Sequence, residues 1–461
     1  MSRIGQTRAP LKRSMRVMGV LLLTLSGVTP ASSVFIAVPT VISEAGTGAL
    51  ISMIIGAVLV VPIACVYAEL SSAFPIAGGE YALVGRTLGP ASGFGILGLT
   101  VAVNMLSPAV LALGVAANLQ PVFPGLDPTW TAEAIIASTT LLAVLHIRTN
   151  AWVTGIFLFL ELAALGVLTA LGALHAQNPL AGLLAHPVAL GADGGFHPAS
   201  AGAIGLSVSV AIFVYNGFGS AVYFAEEMHE APRLVARTIL WSGLISVATV
   251  FAPVVAVLAG APDLKALLAS ASPFTTFLDT VGAGWMKTAM GLAVALAILN
   301  AVLACILQNS RFFYSSGRDE AWHPVINAAF QSTHPRYNSP WISTLAAGGS
   351  AMLMCFIGLD RLLVLTGAGL AVTYAALCGA VIVGQRTGST AHAAWRMPLA
   401  PVLAALGLLG SGYALWAEAL DPDVGRYSLI ATDAFLAVAM AYYGWVVRRR
   451  GVWTVRDPEQ A

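Results

Sequence analysis

The chain has 461 residues, 58% of them hydrophobic and only 9% charged, against roughly 25% charged in an ordinary soluble domain. Its net charge of +1 gives no electrostatic reason to expect nucleic acid or an acidic partner. This composition is that of an integral membrane protein, with lipid as its surroundings.

A helix that crosses a hydrocarbon core of about 30 Å needs about 20 apolar residues. Such runs fall, in chain order, at about 15–43, 47–74, 85–118, 130–146, 150–174, 202–229, 236–260, 284–314, 340–359, 361–385, 397–419 and 427–447. Each is far longer than the roughly ten-residue alternating segment of a membrane barrel, so all twelve read as helices. An even count puts both termini on one side. With that side cytoplasmic, only Lys265, Lys287, Arg361 and Arg426 of the 22 basic residues lie outside, the asymmetry expected of a multi-pass protein of the cell membrane.

The first run carries no charge from Val17 to Ser43, yet residues 26–35 read SGVTPASSVF. Behind Arg8, Lys12, Arg13 and Arg16, this reads either as the cleavage region of a secretory signal or as a helix broken at membrane depth. Apolar sequence continues as FIAVPTVI, and cleavage would remove half of a span that the count requires. The broken helix is therefore the expectation. Such a break frees backbone groups that lipid cannot satisfy, and it is tolerated where it lines a polar cavity.

Further along, Asn104 of the third span is a candidate substrate contact or an interhelical hydrogen bond. Glu161, midway through the fifth span, has no ionisable residue within ten positions. A lone carboxyl there must be protonated, paired across helices or facing water. His175, His186 and His197 follow in one outer loop at elevenfold spacing and without acidic pairing, which gives no metal site. The sixth span then holds a second interruption, YNGFGSAVYF at 215–224. Ala31-Ser32-Ser33-Val34 matches Gly219-Ser220-Ala221-Val222, with Phe35 and Phe224 close behind. Two breaks five helices apart are what an inverted repeat gives, and they point to the binding site of a secondary transporter. The plainer alternative is a pair of kinks that ease helix packing.

Glu226, Glu227 and Glu230 end the sixth span, followed by Arg233 and Arg237; they read as a gate, a loop anchor or solvated charges. Arg311 and Arg318 anchor the inner end of the eighth helix. Cys65, Cys305, Cys355 and Cys378 lie in apolar runs without CxxC spacing and read as packing residues. No nucleophile triad, phosphate-binding Gly-Lys motif or zinc motif occurs, so the sequence implies neither an enzyme, a cofactor nor an ATP-driven pump.

Several stretches together resemble the amino acid–polyamine–organocation transporters. These are AELSSAFPIAGGEYALVGRTLG at 68–89, YNGFGSAVYFAEEMHEAPRLVART at 215–238, SASPF at 270–274, and SRFFYSSGRD at 310–319 with the later Asn338-Ser339-Pro340. The resemblance implies an all-α, LeuT-type fold, in which helices 1–5 (15–174) and 6–10 (202–385) form a 5+5 inverted repeat. Helices 11 and 12 (397–447) are peripheral and are candidates for a homodimer contact, and cytoplasmic tails cover 1–14 and 448–461.

It also implies secondary active transport of an amino acid or related small amine by alternating access. The substrate's charged ends would be held by exposed backbone at the two breaks, Thr29, Pro30, Ala31, Ser32 and Ser33 in one and Tyr215, Asn216, Gly217, Phe218, Gly219 and Ser220 in the other. Half-helix N–H groups suit a carboxylate, and unwound carbonyls suit an ammonium. Here the chain departs from its relatives, whose Gly-Ser-Gly is Ala31-Ser32-Ser33 and whose helix-6 Glu is Gly219, which restricts close approach to the backbone. Some proton-coupled relatives carry a Lys where Glu161 stands, so Glu161 is the candidate for exchanging a proton in symport; a permanently neutral, hydrogen-bonded Glu is the alternative. Sodium is disfavoured, because Met290 to Leu307 offers only Asn300 as a polar ligand. Substrate exchange and polyamine transport stand as alternatives. A channel or a non-transporting receptor stands as a different class, and no rings of polar groups suggest a pore.

Overall fold

The computed structural model describes residues 11–119, 125–191, 193–422 and 425–457. Residues 1–10 of the N-terminal tail, with Arg3 and Arg8, and residues 458–461 of the C-terminal tail lie outside the described residues. The architecture is all-helical apart from one small hairpin, β1 (Val188–Leu190) with β2 (Phe196–Pro198).

The first broken segment comprises α1 (Val17–Val28), α2 (Pro30–Ser32), a π-turn over Ser33–Ala37 and α3 (Val38–Ala45). The chain turns back through Gly46–Gly48 into α4 (Ala49–Ala73). Then come α5 (Glu80–Leu88), α6 (Pro90–Leu119), α7 (Pro128–Ala143), α8 (Ile147–Leu174) and the short α9 (Leu180–Ala185). The second broken segment is α10 (Ala201–Val214) followed by a 3₁₀ stretch, Phe218–Glu227. The remainder is α11 (Ala231–Gly260), α12 (Leu264–Ala269), α13 (Pro273–Thr280), α14 (Lys287–Arg318), α15 (Pro324–Phe330), α16 (Trp341–Cys355), α17 (Leu359–Thr387), α18 (Ala400–Leu420) and α19 (Gly425–Tyr442).

Among the described residues nine stretches are long and apolar enough to cross a membrane, and α16 is a shorter apolar helix. Apolar side chains such as Trp152, Phe159 and Trp445 remain exposed on the perimeter, as expected where lipid rather than water is the solvent. Inside, α1 packs on α8, α11 and α14. The first broken helix is thus packed among continuous ones, while α10 keeps Leu206 and Phe213 exposed.

Both described ends of the chain gather at one end of the bundle. The N–H groups of Ser14 and Met15 donate to the Glu227 carbonyl at 2.9 and 2.8 Å, while Trp453 packs on Tyr81 at the start of α5. The acidic cluster there is not solvated. Arg311 forks onto Glu227 at 3.0 and 3.2 Å with both side chains essentially buried, and Arg318 reaches Glu226 at 2.7 Å; Glu230 alone of the three acids is exposed. One expectation is corrected. His197 does have an acidic partner, Asp193 at 2.9 Å on the exposed hairpin turn. The Gly195 N–H and the His197 ring hold that carboxyl below the usual range. The four cysteines are free, three of them buried and Cys305 half-buried.

Candidate functional site

In the first break, Thr29 adopts φ 48, ψ 67, the left-handed region that a β-branched residue rarely enters. Its N–H still closes on the Leu25 carbonyl at 3.1 Å. Pro30 has no N–H to offer Ser26, and the Ala31 N–H donates at 2.7 Å to Oε1 of Glu161 instead of turning back to Gly27. The carbonyls of Ser26 and Gly27 thereby lose their ordinary i+4 helical donors. Helical pairing restarts with the Ser33 N–H on the Thr29 carbonyl at 3.0 Å.

The second break follows α10. Asn216 closes a tight turn on Phe213, and Gly217, at φ 115, redirects the chain into the 3₁₀ stretch. A Cβ at Gly217 would lie 2.8 Å from the Cα of Val28. The two breaks therefore meet backbone to backbone. Nearby, a Cβ on Gly27 would stand 3.4 Å from Ser220 Oγ, and one on Gly219 would stand 2.7 Å from the Tyr67 ring. Ser220 Oγ is buried without a protein partner among the described residues.

Surrounding side chains fix both breaks. Tyr215 donates to the Met53 carbonyl at 3.2 Å and its own carbonyl accepts from Ser246 at 3.1 Å. Tyr374 of α17 donates to Asn216 Oδ1, and its ring meets Tyr67 edge-on at 6.1 Å. Phe218 meets Tyr67 the same way at 5.9 Å. Behind α1, Asn300 Nδ2 donates to Ser26 Oγ at 2.9 Å and to the Thr154 carbonyl at 3.1 Å. Glu161 is fully buried two turns along α8 from Thr154, and its Oε2 has no partner among the described residues.

The structure thus brings the end of α1, Gly27 and Val28, against Gly217 and Ser220 of the second break, while Pro30–Ser32 lies against α8, α11 and α14, with Glu161 bonded to Ala31. Asn104 of α6 is buried; its carbonyl accepts from Asn309 at 2.6 Å, and its amide nitrogen has no partner among the described residues. Sequence reasoning did not name Tyr67, Tyr374, Ser26 or Thr154. Each contributes through a contact distant in sequence, and no local spacing signals it.

Two helix breaks thus meet inside the bundle, with a buried carboxyl bonded to one of them. An apolar helical bundle built around such a site defines a multi-pass membrane permease. The chain belongs to the amino acid permease family, whose pattern matches residues 16–446, within the amino acid–polyamine–organocation superfamily. It is 23% identical over 422 residues to the branched-chain amino acid permease BcaP of Bacillus subtilis (strain 168), covering 86% of each chain. To the BcaP of Lactococcus lactis subsp. cremoris (strain MG1363) it is 26% identical over 428 residues, covering 86% of this chain and 87% of that one. It is also 29% identical over 300 residues to the large neutral amino acids transporter small subunit 2 of Rattus norvegicus, covering 62% of this chain and 55% of that one.

Proposed function

We propose that the protein is a proton-coupled secondary transporter that carries a neutral amino acid with an apolar side chain by alternating access. The observation that carries this reading is the meeting of the two helix breaks at Val28 and Gly217. Carbonyls of Ser26 and Gly27 suit the substrate's ammonium, and half-helix N–H groups after each break suit its carboxylate. Ser220 Oγ, buried and without a protein partner among the described residues, supplies a further polar contact. Thr29, Pro30, Ala31, Ser32 and Ser33, with Tyr215, Asn216, Gly217, Phe218, Gly219 and Ser220, form the binding site.

Substrate class follows from chemistry and kinship together. Among the described residues Glu161 is the one Asp, Glu, Lys or Arg side chain bonded to either break, so an acidic substrate side chain finds no cationic partner there. The similar proteins named above are described as carriers of branched-chain or large neutral amino acids. Glu161 exchanges the coupled proton, because among the described residues it is the carboxyl bonded to the first break.

The reading includes twelve crossings in a 5+5 inverted repeat with two peripheral helices. Residues 17–73 supply two crossings, and α7 and α16 join the remaining long stretches. Gathering of both described termini at one end supports an even number, and the basic-residue asymmetry makes that end cytoplasmic. Proteoliposomes loaded with buffer test the proposal. Saturable uptake of leucine, isoleucine or valine driven by an inward proton gradient is the expected result. Uptake that requires internal amino acid replaces symport with exchange, and uptake of no amino acid removes the reading.

A further inference from the structure

The chain's last described residues do not trail away from the bundle. Trp453 and Val455 are 5% and 6% exposed, while Val452, Thr454 and Arg456 point outward. That alternation is the signature of an extended segment laid on a surface. The Trp453 ring meets Phe94 edge-on at 5.2 Å and Tyr81 at 6.2 Å. Val455 covers Gly85 so closely that a Cβ there would stand 3.1 Å from its Cγ2. Polar ties join the same segment to α14: the Arg456 N–H donates to Asp319 Oδ1 at 3.1 Å, and its guanidinium pairs with Glu320 at 2.6 Å. Asp457 pairs with Arg86 of α5 at 3.2 Å.

Residues 451–457 therefore bridge α5 and the end of α14. Asp319 is the hinge of the contact, since its second oxygen accepts from Tyr81 at 2.8 Å. The adjacent Arg318 holds Glu226, which also accepts from the Ala77 N–H at 2.9 Å. Glu226 and Glu227 close the 3₁₀ stretch that descends from the second break. Between segment and bundle lies a polar cavity of about 410 Å³, lined by Glu226, Arg318, Asp319, Asn327, Arg450 and Trp453.

The geometry points to residues 451–457 as a strap that holds this mouth of the bundle shut and lifts off α5 each time the mouth opens. A path from the breaks to this end separates the 3₁₀ stretch from α14, and a segment anchored on both α14 and α5 resists that movement. The inference rests on the transporter reading. It adds that the C-terminal segment sets the rate of cytoplasmic opening.

A cross-link tests it in the full chain. Gly85→Cys with Val455→Cys places two thiols in reach of a disulfide. Oxidation of the pair is expected to slow uptake at least about ten-fold by removing the open state, with reduction restoring it and each single variant indifferent to oxidant. A second measurement does not depend on transport. Amide exchange over residues 14–17 and 218–228 is expected to quicken about ten-fold in Trp453→Ala and in a chain ending at Arg450, because local opening becomes easier. Uptake at full rate by the fully cross-linked pair, or exchange unchanged in both strap variants, overturns the strap. Quickened exchange in a protein that carries no amino acid keeps the strap as a closure and removes the transporter reading instead.

Discussion

The backbone N–H of Ala31 donates to Oε1 of Glu161 at 2.7 Å, joining the first helix break to a carboxyl that is fully buried in α8. Two substitutions separate its structural duty from its proton chemistry. Glu161→Gln keeps a carbonyl oxygen for Ala31 but cannot exchange a proton, so gradient-driven uptake should collapse while counterflow of substrate persists. Glu161→Ala leaves the Ala31 donor buried and unpaired, a loss of about 1–3 kcal/mol, and should lower the melting temperature as well. Uptake assays with and without a pH gradient, beside thermal melts, read both. A Glu161→Gln protein with intact gradient-driven uptake removes the coupling role.

Gly217 has two reasons to be glycine. Its φ of 115 is open to few L side chains, and a Cβ would stand 2.8 Å from the Val28 backbone. Gly217→Ala should therefore force the two breaks apart, at a cost of roughly 1–3 kcal/mol for the backbone conformation alone. Transport should fall to background even where the protein still folds. Binding of labelled substrate to the purified variant distinguishes a lost site from a lost fold.

Both helix breaks were readable from the letters, and the contacts around them that escaped did so for a physical reason. Pro30 and Gly217 announce the breaks because they act on their own backbone, and Glu161 stands out because a charge in an apolar run must be explained. Tyr374 announces nothing, since a tyrosine in an apolar helix is unremarkable until the fold sets it against Asn216. Glu226 and Glu227 stood out as charges, but the letters left open whether they are paired or solvated. Their burial depends on Arg318 and Arg311 arriving from α14, some ninety positions away.

Tyr374→Phe should leave the fold intact and loosen the second break. Losing one hydrogen bond of about 0.5–1.5 kcal/mol predicts a several-fold rise in KM with a smaller change in kcat. Phenylalanine preserves the edge-on contact with Tyr67, so a merely structural role would leave KM where it was.

Arg311 and Glu227 form a bidentate pair with almost no exposure. Removing either partner strands the other charge, which costs about 3–5 kcal/mol in buried pairs. Arg311→Met and Glu227→Gln should each unfold at clearly lower temperature. Arg311→Met combined with Glu227→Leu should recover much of that loss, because no uncompensated charge remains. Double-mutant melting curves that show simple additivity would mean the two side chains are not coupled.

Glu80 provides a pH test at the end of the bundle where α5 begins, outside the spanning stretches. It accepts from Tyr67 at 2.9 Å and from Tyr223. Burial pushes its carboxyl above the ordinary value of 4.5, with the tyrosine hydrogen bonds opposing only part of that rise. A carboxyl raised in the folded state binds its proton more tightly there than in the unfolded chain. Its contribution to stability is therefore fully present below pH 4.5 and declines as pH climbs from that value through the folded-state pKa. Glu80→Gln carries no titrating proton and keeps its contribution constant. Melting temperatures of the two proteins should lie nearest together in acid and diverge toward neutral pH, with the glutamine variant becoming the relatively more stable. A gap that stays constant across that range would show that Glu80 binds its proton equally well in both states.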